Sequence, residues 1–179
     1  MTYESTTTLS RIRAARPCEE GWIKLLKHLG KTKADDEPVE LLTVLNSNGL
    51  DDALWVLSYA MPDDRLARHF QAWCAEQVLH IFEAKYPDDT RVRDQITMLR
   101  NDDATDEERA AARAAALDSA WDATDEERTA AWAAARDTAR SAARDAAWAA
   151  EGAAARAAAR VAARDAQERQ LRLMIGEPA

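Results

Sequence analysis

The chain has 179 residues, 32 acidic side chains against 24 basic ones, and a formal net charge of -8. That balance disfavours nonspecific nucleic-acid binding and favours a basic partner. The length suits one domain, or one domain with an attached subdomain, whose core needs no metal or disulfide. The two cysteines, Cys18 and Cys74, fit reduced thiols in a cytoplasmic protein. Met1 to Ser10 lacks a basic segment followed by an apolar run, so no signal peptide is expected. Arginine interrupts every alanine run, so no membrane span is expected either.

Residues 1–16 read as a flexible, threonine-rich N-terminus. Residues 17–61 read as a subdomain of short helices, rich in leucine and tryptophan. Pro17 opens the first of these and Gly30 stops it, with Trp22, Leu25, Leu26 and Leu29 on one face at helical spacing. Pro38 is expected to start a second short helix burying Leu41, Leu42 and Leu45. Asn46-Ser47-Asn48-Gly49 ends it with strong stop chemistry. Asp51 or Asp52 is expected to cap a third, which carries Leu54, Trp55, Val56 and Leu57 and breaks at Met61-Pro62.

Residues 62–175 read as a helical bundle with long alanine-rich helices. Its first helix, from Asp63 to Lys85, is the expected central post, with Leu66, Phe70, Cys74, Gln77, Val78 and Ile81 on one broad side. After a turn at Tyr86-Pro87-Asp88-Asp89, a helix follows with Val92, Ile96 and Leu99 inward. The alanine region then opens on a near-exact repeat, Ala104-Thr105-Asp106-Glu107-Glu108-Arg109 and Ala123-Thr124-Asp125-Glu126-Glu127-Arg128. Each copy spells a capping box, in which a threonine hydroxyl and a glutamate three residues later satisfy each other's backbone N–H groups. The first repeat helix is expected to end near Trp121. Beyond the second box, either two helices meet near Gly152 or one long helix kinks there. Leu117, Trp121, Trp132, Trp148, Val161, Leu171 and Leu173 are the expected large anchors among small alanine faces. The fold class is therefore all-α.

Candidate chemistry is sparse. No nucleophile elbow, phosphate-binding glycine loop or cysteine pair with metal spacing occurs, and five glycines leave little material for a catalytic loop. No enzyme and no cofactor are expected. His69, Glu76 and His80 share one stripe of the Asp63–Lys85 helix and contain metal-ligand types, but no second cluster completes a site, and no metal is expected. Arg136, Arg140 and Arg144, flanked by Trp132 and Trp148, keep a step of four that drifts about 40° per step on a helix. Such a stripe can track phosphates and stack bases. The acidic clusters sit at helix starts, where carboxylates oppose the helix dipole.

One stretch carries a family resemblance. Arg68-His69-Phe70-Gln71-Ala72-Trp73-Cys74-Ala75-Glu76-Gln77-Val78-Leu79-His80-Ile81-Phe82-Glu83, then Tyr86-Pro87-Asp88-Asp89-Thr90-Arg91-Val92-Arg93, resembles immunity proteins associated with bacterial polymorphic toxins. The continuation Thr105-Asp106-Glu107-Glu108-Arg109-Ala110-Ala111-Ala112-Arg113 is similar to that family's alanine-rich helices. The Gly21-Trp22 to Trp55 segment is similar to the N-terminal extension of alanine-rich phage and prophage proteins. The likeness spans about Arg65 to Gln167. That family carries histidine-containing helices late in the alanine region, whereas this chain has no histidine after His80. The resemblance implies a non-catalytic inhibitor that covers a partner protein, either a toxin or a host defence protein. The expected partner surface is Asp102, Asp103, Asp106, Glu107, Glu108, Asp125, Glu126 and Glu127. The alternatives are nucleic-acid binding through Arg136, Arg140 and Arg144, and a structural role in a phage particle.

Overall fold

The computed structural model describes residues 3–122 and 153–176. The described chain is all-α, apart from one short two-stranded ribbon. Its elements are β1 (Thr6–Thr8), α1 (Leu9–Ala14), α2 (Glu19–Leu29), β2 (Pro38–Glu40), α3 (Leu41–Asn48), α4 (Leu50–Tyr59), α5 (Arg65–Glu83), α6 (Arg91–Arg100), α7 (Asp106–Asp122) and α8 (Ala153–Met174). Two compact units contain them, one of Met1–Ala67 with Gln170–Ala179, the other of Arg68–Arg169.

In the first unit the N-terminus is not frayed coil. Thr6–Thr8 pairs antiparallel with Pro38–Glu40, in the register Thr6↔Glu40, Thr7↔Val39 and Thr8↔Pro38. The Leu41 N–H donates to the Ser5 carbonyl at 2.7 Å and extends the pairing by one rung. The buried Thr7 hydroxyl donates to the Ala60 carbonyl. Thr8 then caps α1, accepting from the Arg11 N–H, and α1 buries Leu9 and Ile12 completely. Two fully buried aliphatic side chains three residues apart outweigh the polar threonine run, each worth about 1.5–3 kcal/mol. Pro38, expected to open a helix, instead begins β2. A strand's first residue tolerates its missing N–H, and the helix starts at Leu41.

Helix α2 begins two residues after Pro17, with Cys18 as its N-cap, the sulfur accepting from the Gly21 N–H. It ends on Gly30 in the left-handed region at φ 65°. The Gly30 N–H returns to Lys27 and that of Lys31 to Leu26, which satisfies the last carbonyls of the helix. The stop at Asn46–Gly49 also forms, α3 ending at Asn48. Neither Asp51 nor Asp52 caps α4, because both already lie in its first turn after Gly49. Asp52 accepts from the Asn48 amide at 2.7 Å instead, and that amide also donates to the Gly21 carbonyl. Leu171, from the C-terminal end of α8, is fully buried, and neighbouring Arg172 donates to the Asn46 side chain at 2.9 Å.

In the second unit, Phe70, Cys74, Val78 and Phe82 recur every fourth residue of α5 and form its buried row. Gln77, expected inward, is exposed, and Ile81 is only half buried. A step of four drifts backwards around the helix, so the row ends on Phe82 rather than Ile81. Val92, Ile96 and Leu99 of α6 are buried as expected. α7 packs along α6, offering Ala116 and Ser119 to the interior. The first capping box forms, and α7 ends at Asp122, next to the expected Trp121. Val161 and Leu173, expected as anchors, are exposed. The second box and the Gly152 junction lie outside the described residues.

Candidate functional site

The residues from Asn101 to Arg109 form an acidic loop whose backbone is tied down from several sides. Helix α6 gives way at Asn101, whose side-chain oxygen accepts the Asp103 N–H at 3.0 Å. This is the local turn an asparagine makes when its side chain mimics backbone. Arg109, one turn into α7, reaches back to the Asn101 carbonyl at 3.1 Å and to Asp106 at 3.2 Å. Ala104 is buried beneath the loop.

The deepest tie is Asp102. Its Oδ1 lies 3.2 Å from a guanidinium nitrogen of Arg68 and 3.1 Å from Nε2 of His69. Arg68 also donates to the Leu99 carbonyl at 3.0 Å, closing the end of α6. Both Arg68 and His69 are at least nine-tenths buried. Removing one member of such a buried charged pair typically costs about 3–5 kcal/mol, because the other is left uncompensated.

Only part of the expected acidic surface is available to a partner. Asp102 is committed to Arg68 and His69. Glu108 is committed to the cap, where the Thr105 N–H holds its carboxyl below the usual range. Asp106 leans on Arg109 yet stays 97% exposed, and Asp103 and Glu107 are exposed. The outward charge therefore comes from Asp103, Asp106 and Glu107. Asp125, Glu126 and Glu127, and the arginines Arg136, Arg140 and Arg144, lie outside the described residues. Further along the same four-residue phase, Arg156 and Arg160 are exposed on α8.

His69, Glu76 and His80 are not brought together. His69 turns to Asp102, Glu76 pairs with Arg100 of α6, and His80 is exposed. Among the described residues no group of three His, Cys, Asp or Glu side chains is placed to hold a metal ion, and no helix is long and apolar enough to cross a membrane. Cys74 is buried, its thiol pushed up to about 12 by desolvation against a smaller opposing hydrogen bond from Gln167. The clamp of Arg68, His69 and Arg109 around the loop had no signature in the sequence, since Arg68 and Asp102 are 34 residues apart and only folding makes them neighbours. The chain matches no family model, no curated protein and no solved structure.

Proposed function

We propose that this chain is a non-catalytic inhibitor that covers a basic functional surface of a partner protein, as a toxin antidote or a phage-borne counter-defence factor. One observation carries the reading: the Asn101–Arg109 loop is held rigid from beneath by Arg68, His69 and Arg109, while Asp103, Asp106 and Glu107 face solvent. A surface ordered before binding loses less conformational freedom on binding. Exposed carboxylates steer a basic partner and fix its orientation. A nucleic-acid-cleaving toxin, with its basic cleft, fits that chemistry.

The test begins with affinity capture of the tagged chain from its own host and mass spectrometry of what it retains. Association with the captured protein is then measured for Asp103→Lys and Glu107→Lys together, with helix content checked in the same samples. Slower association with dissociation little changed is the expected result. The competing class is nucleic-acid binding. It would be established by steeply salt-dependent DNA binding of the unaltered chain that is lost in a folded Arg136→Gln, Arg140→Gln, Arg144→Gln variant.

A further inference from the structure

Helices α5 and α6 are antiparallel, and two ion pairs span the groove between them, Glu76 with Arg100 and Glu83 with Arg93. Both glutamates are on α5 and both arginines on α6, seven residues apart in each case. Seven residues are close to two turns, so each helix presents its two charges on one side, about 10 Å apart. Leu79 and Ile96 lie between the two rungs, in a groove of about 470 Å³. The outer side of this hairpin thus has an acidic wall and a basic wall in matched register.

We propose that this face joins two copies of the chain about a two-fold axis parallel to α5 and α6. Such an axis lays α5 of one copy over α6 of the other. Glu76 then meets the partner's Arg100, and Glu83 the partner's Arg93, so every carboxylate gains a second arginine. The other face-to-face two-fold, perpendicular to the helices, stacks α5 on α5 and sets Glu76 against the partner's Glu83, which is repulsive. The charge pattern selects the first. Neighbouring helices are also antiparallel throughout that arrangement, as in an up-down bundle, and a two-fold interface uses the same patch twice. In a chain of net charge -8, these four charges cancel, so two copies repel one another less here than across acidic surface.

Sedimentation of the full chain tests this over about 1 μM to 1 mM, a range that resolves weak dimers. A concentration-dependent dimer that weakens as salt rises is expected. Glu76→Arg with Glu83→Arg makes the face wholly basic, and Arg93→Glu with Arg100→Glu makes it wholly acidic. Each double variant alone should dimerise at least about tenfold more weakly, and mixing the two should restore a heterodimer. Thr97→Lys places a long charged side chain at an exposed position between the rungs without touching an ion pair, and should weaken the dimer even if a double variant fails to fold. A chain that stays monomeric throughout, or a dimer that neither Thr97→Lys nor the folded double variants weaken, overturns the proposal.

Discussion

Thr105 and Glu108 cap α7 reciprocally: the Thr105 hydroxyl accepts the Glu108 N–H at 3.2 Å, and the Glu108 carboxylate accepts the Thr105 N–H at 2.7 Å. Two donors that the helix leaves unpaired are satisfied at once. Thr105→Ala should therefore lower stability by about 1 kcal/mol, read as a shift in the urea midpoint at unchanged slope. An unchanged midpoint would show that the cap contributes nothing measurable. The same geometry separates stability from binding, because Glu108 belongs to the cap while Asp103 and Glu107 point outward.

Gly21 is a second position where a small change should be felt. A β-carbon there would come 2.6 Å from the Asp52 carboxylate and 3.1 Å from the Cys18 sulfur. Asp52 is itself held by Asn48, which also bonds the Gly21 carbonyl, so it has little freedom to retreat. Alanine favours helix over glycine by about 1 kcal/mol, but overpacking typically costs about 1–3 kcal/mol. Gly21→Ala should come out net destabilising in thermal or urea unfolding. A stabilised variant would mean that Asp52 moves aside at little cost.

The features legible in the sequence are those decided within a few residues of themselves. Gly30, Gly49 and the Thr105–Glu108 box each act over one turn, and all three stand where the sequence put them. The helical periods of α2, α5 and α6 were also readable, although the buried row of α5 reaches Phe82, not Ile81. What escaped depends on distant partners. Thr6–Thr8 becomes a strand only because Pro38–Glu40 returns beside it, and the Asp102 clamp joins residues from two helices. Val161 and Leu173 show the same limit in reverse. An aliphatic residue in an alanine helix looks like an anchor, yet only packing decides whether anything covers it.

The two cysteines should differ in reactivity. Cys18 is exposed at the start of α2, whereas Cys74 is buried with its thiol near 12. The thiolate is the reacting species. At about pH 8, an aromatic disulfide reagent should therefore label Cys18 quickly and Cys74 only after denaturant is added. Rapid labelling of both in the folded state would mean that the interior around Phe70 and Cys74 opens locally. Cys18→Ser leaves a single slow thiol and makes the assignment unambiguous.

Asp89 should supply an acid-sensitive part of the stability. Its carboxylate accepts the Arg91 N–H at 3.1 Å, the Arg91 guanidinium at 2.9 and 2.6 Å, and the Ser119 hydroxyl at 2.9 Å. The Arg91 side chain is the main cause that holds this acid down at about 2, with Ser119 helping and burial opposing. A carboxyl depressed on folding stabilises the protein fully above its unfolded value of about 3.9, and that contribution is lost as pH falls through about 2. Allowing for solvent screening around Arg91, the contribution is about 1 kcal/mol. Asp89→Asn should lower stability near neutral pH by that amount and flatten the pH dependence between about 4 and 2, measured by urea unfolding at each pH. Ser119→Ala removes one acceptor contact and should shift the acid limb in the same direction by less. If Asp89→Asn leaves the acid limb of the profile unchanged, the Arg91 pair is not what ties the start of α6 to α7.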